Sequence, residues 1–440
     1  MVKKFLLFLL IFVISVSYSE EYLTLEKLTP LLENSPLAKI YKSQYENSVI
    51  KLNLTQASFN PQINSSISYS QGEVKYLNLN KTQQNQDINV SLSFSDVLLL
   101  WGKNGIDYQA SLIDVEKARN NLKSNLQNLF YQLTQQFYNL YLAQEQLKIV
   151  SESYNLALEQ SNIAEKKFAN GEISQVDLLS AKINLKNAEI NLSSAKNNLE
   201  SAYKSLENLL GTKLDRVPVK LDLNYTPFNE NPEDLINILN KNNINILNAE
   251  LDLKKAELSL SQANLPSWPF SLNGSYNKDK NSLSFSFNTQ SYALNLNYKY
   301  NSSLLSTSTS SSQDSWNIGF SFSIPIFDSG IRNNNIKQAE LQVLQAQLTL
   351  ENIKKEQELN FWQTYYALLQ AQENIKQKEL TLQQKKQNYE YQKVRYDLGL
   401  ITELDLKNAE LSVLQAQYDL SKAILDFNLY RLKLEQILNR

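Results

Sequence analysis

The 440-residue sequence contains no cysteine and no histidine. Without cysteine there is no disulfide, no thiolate metal site and no thiol nucleophile. Without histidine the commonest general base and the commonest metal ligand are both missing. The remaining residues show no constellation of acid, base, nucleophile or metal ligand. An enzyme is therefore not expected, nor is a cofactor or resident metal. Neither sign of charge dominates, with 43 Lys and Arg against 45 Asp and Glu. That balance leaves no basic footprint for nucleic acid. No Gly-rich phosphate loop is present, so the chain supplies no energy from nucleotide hydrolysis. Glycine and proline number only nine each.

Long apolar runs are also missing, with one exception at the start, MVKKFLLFLLIFVISVSYSEE. Lys3 and Lys4 form a basic segment, Phe5 to Val16 an apolar one, and Ser17 and Ser19 are small. This reads as an export signal over residues 1–19 with cleavage after Ser19, the alternative being an N-terminal anchor. No cysteine follows to take a lipid. Nothing downstream resembles a spanning helix, so insertion into a membrane would have to be by strands.

What is present is a tandem repeat. FANGEISQVDLLSAK (168–182) and YDLGLITELDLKNAE (396–410) share an aromatic residue, a Gly three positions on, then x-Ile-Ser/Thr-x-Val/Leu-Asp-Leu. Their glycines are 228 apart (399 − 171 = 228). NVSLSFSDVLLLWGKN from Asn89 and NIGFSFSIPIFDSGIR from Asn317 match at the same offset (330 − 102 = 228). The chain is therefore expected to hold two copies of one unit, residues 20–211 and 233–440. A Pro-bearing linker joins them at 212–232, with Pro218, Pro227 and Pro232.

All nine glycines and all nine prolines lie outside 106–170, 172–210, 331–398 and 400–440. A Pro within a helix costs ~3 kcal/mol and a Gly ~1 kcal/mol relative to Ala, so these stretches read as long helices. The first would be a rod of about 100 Å. Ala181, Leu185, Ala188, Leu192, Ala195, Leu199, Ala202, Leu206 and Leu209 alternate steps of four and three. So do Ala409, Val413, Ala416, Leu420, Ala423, Phe427, Tyr430, Leu434 and Ile437. Such a seam has period 3.5 and winds helices around neighbours.

Elsewhere the period is two. Ile63, Ile67 and Tyr69 alternate with Asn64, Ser66 and Ser68; Val90, Leu92 and Phe94 alternate with Ser91, Ser93 and Ser95. Phe270 and Leu272 alternate with Ser271 and Asn273, and Ile318, Phe320, Phe322 and Ile324 with Gly319, Ser321 and Ser323. These are expected as strand hairpins at about 61–98 and 269–326, each with one apolar and one small polar face. The helices already use their apolar seams on one another, so lipid is the expected partner of the apolar face and water that of the polar face. A small soluble sandwich is the alternative. Trp101, Trp268, Trp316, Tyr69 and Phe327 fall at strand ends like an aromatic girdle. Four strands cannot close a membrane barrel, which needs about eight, so the chain must oligomerise. Residues 277–313 hold two more alternating runs, SLSFSF and ALNLNYKY, read as an enlarged surface-exposed loop or, alternatively, two further strands.

Two helical hairpins in tandem, each interrupted by a strand hairpin after an export signal, resemble the TolC-like outer-membrane efflux protein family. The resemblance covers nearly all of the mature chain and rests on SFSIPIFDSGIRNNNIKQAE, RYDLGLITELDLKNAE and KFANGEISQVDLLSAK. It implies a mainly α fold with a membrane β-barrel. As a homotrimer, three chains of four strands would build a twelve-stranded outer-membrane barrel in contact with lipid. Long helices (103–170, 331–398) and shorter ones (172–211, 400–440, and about 34–59 in the first copy) would build a periplasmic α-barrel. The implied function is a passive exit duct of a tripartite efflux or type I secretion system. A periplasmic adaptor (membrane fusion) protein and an inner-membrane pump of RND or ABC type would feed it.

The two repeated turns are the implied hairpin tips. Gly171 and Gly399 permit the left-handed turn that ends a helix. Ser174 and Thr402 can cap the next helix, with Asp177 and Asp405 at the position that completes a capping box. For both Asp residues a purely structural role is one reading. The resemblance implies another for Asp405, a ring of three carboxylates narrowing the periplasmic entrance. Asn408 stands where the family often has a second acidic ring, and Tyr396 matches a position in the hydrogen bonds that hold the tip closed, with seam packing as its alternative. Leu398, Leu400 and Ile401, together with Ile173 and the other tip residues Gly171, Ser174, Asp177, Gly399 and Thr402, are candidate adaptor contacts. Competing architectures are a trimeric coiled-coil surface adhesin and a periplasmic coiled-coil scaffold.

Overall fold

The computed structural model describes residues 22–76, 81–99, 102–265, 269–305 and 314–440. The export signal expected over 1–19 lies outside them, as do Trp101 and Trp268 of the expected girdle. In chain order the elements are α1 (Leu25–Glu33), α2 (Pro36–Ala57), β1 (Gln62–Tyr76), β2 (Lys81–Val97), α3 (Gly102–Ala169), α4 (Gln175–Leu210), α5 (Pro232–Asn242), α6 (Ile244–Asn264), β3 (Phe270–Lys278), β4 (Asn281–Asn288), β5 (Ala293–Leu305), β6 (Ser315–Phe322), α7 (Ile331–Asp397) and α8 (Glu403–Ile437). No helix among the described residues is long and apolar enough to cross a membrane.

The breaker-free stretches are helical as expected. α3 and α7 are single helices of 68 and 67 residues, and α4 and α8 run 36 and 35. Residues contact one another in two compact units, to which α3 and α7 each contribute. One unit comprises 22–39, 127–229 and 364–433, the other 40–126, 230–363 and 434–440.

The first unit is helical. Leu129, Leu133, Phe137 and Leu140 of α3, Leu206 and Leu209 of α4, Leu368 and Ile375 of α7, and Ala416, Ala423 and Phe427 of α8 are buried in it. Most of the alternating seam is thus buried or half-buried, with Tyr430 the exposed exception. The linker crosses this unit as extended chain. Leu23 bridges Val219, with Leu23 N–H donating to the Pro218 carbonyl at 3.0 Å and Lys220 N–H to the Leu23 carbonyl at 3.0 Å. Short helix α1, just ahead of the helix expected at about 34–59, presents Leu28 and Leu32 to the core. α4 ends at Gly211, in the left-handed region with φ 70°, against the ring of Pro36 that opens α2.

The second unit holds the sheet. All its strands are antiparallel, in the order β1-β2-β5-β4-β3-β6. The expected hairpins supply β1, β2, β3 and β6, and residues 277–313 add β4 and β5. The surface-loop reading of 277–313 is therefore corrected in favour of its alternative. Leu283, Phe285 and Phe287 of β4 and Leu294, Leu296, Tyr298 and Tyr300 of β5 carry the same alternation as the flanking strands, which lets both join the ladder. The four strands per chain become six, in a sheet that is open among the described residues.

The same unit shows how one helix hands over to the next. Asn243 caps α6 through Oδ1, which accepts from the N–H groups of Asn245 (3.0 Å) and Ile246 (3.2 Å). Its Nδ2 donates to the carbonyl of Ile437, the last residue of α8, at 2.9 Å. One buried side chain thus satisfies the end of one helix and the start of another.

Candidate functional site

The two hairpin tips are built alike. At the end of α3, Gly171 N–H donates to the Phe168 carbonyl at 2.9 Å and Glu172 N–H to the Lys167 carbonyl at 2.8 Å. At the end of α7, Gly399 N–H donates to Tyr396 and Leu400 N–H to Arg395, both at 2.8 Å. This pair of bonds is the Schellman turn, which needs a left-handed residue. Gly171 and Gly399 supply it with φ of 74° and 70°.

The next helix then starts on a capping box. Ser174 Oγ accepts from Asp177 N–H at 3.2 Å, while Asp177 Oδ2 accepts from Ser174 N–H at 3.1 Å and from its hydroxyl at 2.7 Å. In the second copy Thr402 Oγ1 accepts from Asp405 N–H at 3.3 Å. Asp405 Oδ2 accepts from Thr402 N–H at 3.0 Å and its hydroxyl at 2.7 Å. The hydroxyl and backbone bonds hold both carboxyls below the usual carboxylate range, so each stays charged at neutral pH. Asp405 thus does the capping work of Asp177, and its capping bonds all end on one oxygen. Asn408 is exposed one turn further along the same helix.

Tyr396 is partly exposed, and its hydroxyl makes no hydrogen bond among the described residues. Leu398 and Leu400, flanking Gly399, are 69% and 64% exposed. Ile401 and Ile173, two residues beyond each glycine, are half-buried.

The sequence reading missed Lys407, two residues past Asp405. Its ammonium joins Glu159 of α3 at 2.8 Å and Glu403 at 2.9 Å, tying the second tip to the first copy's long helix. Those two carboxylates push its pKa up. The Glu403–Lys407 spacing of four was a legible signal; the partner on α3, 248 positions away, was not. Lys182 meets Glu165 across the first hairpin at 3.0 Å. Among the described residues no group of His, Cys, Asp and Glu is placed to hold a metal.

On the sheet, the alternating apolar side chains of the six strands fall mainly on one face. Across it run Leu92, Tyr298, Leu283, Tyr276 and Trp316 in one row and Ile63, Phe94, Leu296, Phe285, Gly274 and Ile318 in the next. The other face is Ser and Asn, with lateral bonds such as Ser66 to Ser91 hydroxyl at 2.7 Å and Asn288 Nδ2 to Ser271 Oγ at 3.0 Å.

The outer membrane efflux protein family model matches residues 33–212 and 235–440, one match on each repeat. No curated protein matches the chain by sequence. Among solved structures it is similar to the Campylobacter jejuni CmeC outer membrane channel, at 20% identity and TM-score 0.70, over 94% of this chain and 85% of that one. It is also similar to the outer membrane protein VceC from Vibrio cholerae (18%, 0.67, 94% and 95%). A third likeness is to the open state of the Neisseria gonorrhoeae MtrE outer membrane channel (17%, 0.65, 94% and 88%). The adhesin and scaffold alternatives lapse with the family match. Channels of this family are passive transporters, not enzymes, and lie in the outer membrane with their helices in the periplasm. The chain, matched on both its repeats, belongs to the outer membrane efflux protein family.

Proposed function

We propose that three copies of the chain form the exit duct of a tripartite efflux or type I secretion system. The tips dock a periplasmic adaptor, and an inner-membrane pump of RND or ABC type drives solute through. The observation that carries this reading is apolar surface left without a partner at the tips. Leu398 and Leu400 stand exposed on turns held rigidly by a Schellman motif and a capping box. A rigid turn displaying apolar side chains is a docking element rather than a frayed loop. Trimer formation is supported by apolar stripes that the single chain leaves uncovered: Val176, Leu179, Ile183 and Ile190 on α4, and Leu341, Leu344 and Leu348 on α7. Both follow helical spacing, as a seam for a neighbouring helix does.

At the entrance, Asp405 is proposed as the ring residue, charged at neutral pH and solvent-exposed. With Asn408 in place of a second acid, the field comes from one ring. Single-channel recording in planar bilayers tests this. Asp405→Ala is expected to weaken cation selectivity and divalent block, whereas Thr402→Ala, which removes the cap and keeps the charge, leaves selectivity in place. Unchanged selectivity in Asp405→Ala overturns the ring. Photo-crosslinking from position 400 in cells tests docking. Recovery of a periplasmic membrane-fusion protein supports the reading; crosslinks only to other copies of this chain contradict it.

A further inference from the structure

The sheet contains more of the second repeat than of the first. Ser35 and Asn243 hold equivalent positions before the helices that lead into it (243 − 35 = 208), and so do the first residues of β1 and β3 (270 − 62 = 208). After the sheet the offset is 228, as at Gly102 and Gly330. The second copy therefore carries about twenty extra residues between its two helices, and that stretch contains the β4–β5 hairpin.

The hairpin is part of the wall rather than an appendage. It lies between β2 and β3: β4 pairs with β3 over its full length, and β5 pairs with β2 from Ala293 to Leu305. Phe285 of β4 covers Gly274 of β3: a Cβ on Gly274 would lie 2.2 Å from the Phe285 ring. The turn that joins β4 to β5 returns to the helical end of the sheet. There Asn104 of α3 donates to the Ser291 carbonyl at 2.6 Å and Leu98 N–H to the Tyr292 carbonyl at 2.9 Å. Inserting two strands preserves the alternation of direction, since β2 and β3 would also be antiparallel neighbours without them.

The two open edges, β1 and β6, run in opposite directions. A β1 edge can therefore continue the antiparallel ladder on the β6 edge of a second copy, and a head-to-tail ring uses both edges of each chain. Apolar side chains are most exposed on these edge strands, Ile67 at 76% and Phe320 at 79%. Six strands are too few to close alone.

We propose that each protomer contributes six strands to the barrel, with β1 of one copy paired to β6 of the next, so that the trimer closes on eighteen strands rather than twelve. The inference rests on the trimeric-channel reading above. Barrel diameter grows roughly linearly with strand number, so this outer mouth is about 1.5 times as wide as a twelve-stranded one. Its lining is the Ser and Asn face, to which β4 and β5 add Ser282, Ser284 and Ser286, and Asn295, Asn297 and Lys299.

The absence of cysteine makes a background-free test possible. Single substitutions Ser284→Cys, Phe285→Cys, Leu296→Cys and Asn297→Cys are made in the full chain, reconstituted in lipid vesicles and exposed to a charged maleimide. Ser66→Cys and Ile67→Cys on β1 serve as the reference pair. The expected result is labelling at 66, 284 and 297, with protection at 67, 285 and 296. If 66 and 67 alternate while the four hairpin positions all label alike, the hairpin lies outside the wall and the eighteen-stranded barrel is overturned with the channel intact. If 66 and 67 label alike as well, the membrane barrel fails and the proposal with it. A cryo-electron microscopy map of the trimer gives the strand count directly: eighteen supports the proposal and twelve overturns it.

Discussion

Gln144 and Gln372 occupy the same position in the two repeats, and each offers its side-chain oxygen to a backbone N–H of the linker. Val219 donates to Gln144 Oε1 and Phe228 to Gln372 Oε1, both at 2.8 Å. The linker carries no helix of its own, and these bonds fix its two halves to the long helices. Val219 and Phe228 are buried, so losing either acceptor strands a donor away from water, at a cost of about 1–3 kcal/mol. Gln144→Ala and Gln372→Ala should each lower the melting temperature. Limited proteolysis should then cut the linker near the lost bond, near 219 in one variant and 228 in the other.

The capping boxes give a pH signature. The carboxyls of Asp177 and Asp405 titrate below the usual range when folded. Their stabilisation is therefore complete above the unfolded value, about 3.9, and is lost as pH falls through the lowered folded value. At pH 7 Thr402→Ala should cost about 1 kcal/mol in local stability. Amide exchange of residues 402–406 should show that deficit, and it should shrink in strongly acidic buffer, where the wild type surrenders part of its own box.

Equivalent turns should not tolerate equivalent substitutions. Gly211 and Asn439 correspond, and both are left-handed, with φ of 70° and 55°. At 439 the Asn side chain donates to the Asn242 carbonyl at 2.8 Å. At 211 a Cβ would sit 2.5 Å from Cδ of Pro36. Gly211→Asn should therefore destabilise by about 1–3 kcal/mol through overpacking. Gly399→Asn, with nothing within 4 Å of its Cβ, should cost less, since only the strain of the left-handed backbone remains and Asn tolerates that region better than most side chains. Thermal melts of the two variants make the comparison.

Gly274→Ala should weaken the sheet, because the new methyl and the Phe285 ring claim one volume. Heat-resistant mobility on gels should fall. Adding Phe285→Leu, which shortens the obstructing side chain, should restore part of it; a fully additive double variant would show that the two positions do not interact.

Much of the fold was legible because the chain avoids helix breakers over such lengths. The repeat of 228 located both tips, and the spacing of Ser174 to Asp177 and Thr402 to Asp405 announced their boxes before any contact was visible. Two features passed unseen: the short helix α1 ahead of Asn34-Ser35, and the break between α5 and α6 at the single capping residue Asn243. The alternation at 283–287 and 294–300 was read, but its place in the ladder depends on partners in β2 and β3 that local pattern does not name. Lys407 was missed for the same reason, since an ion pair across 248 positions leaves no local trace.

The open edges of the sheet also bear on the order of events in assembly. A protomer outside the proposed ring holds two unpaired strand rows and an apolar face, the combination most prone to pairing with the wrong chain. The helices close their hydrogen bonds within themselves and need no second copy to form. In the proposed barrel the sheet needs one, which makes its stability depend on protomer concentration. On that proposal helix formation can precede encounter, while completion of the sheet, ring closure and entry into the lipid become a single cooperative step.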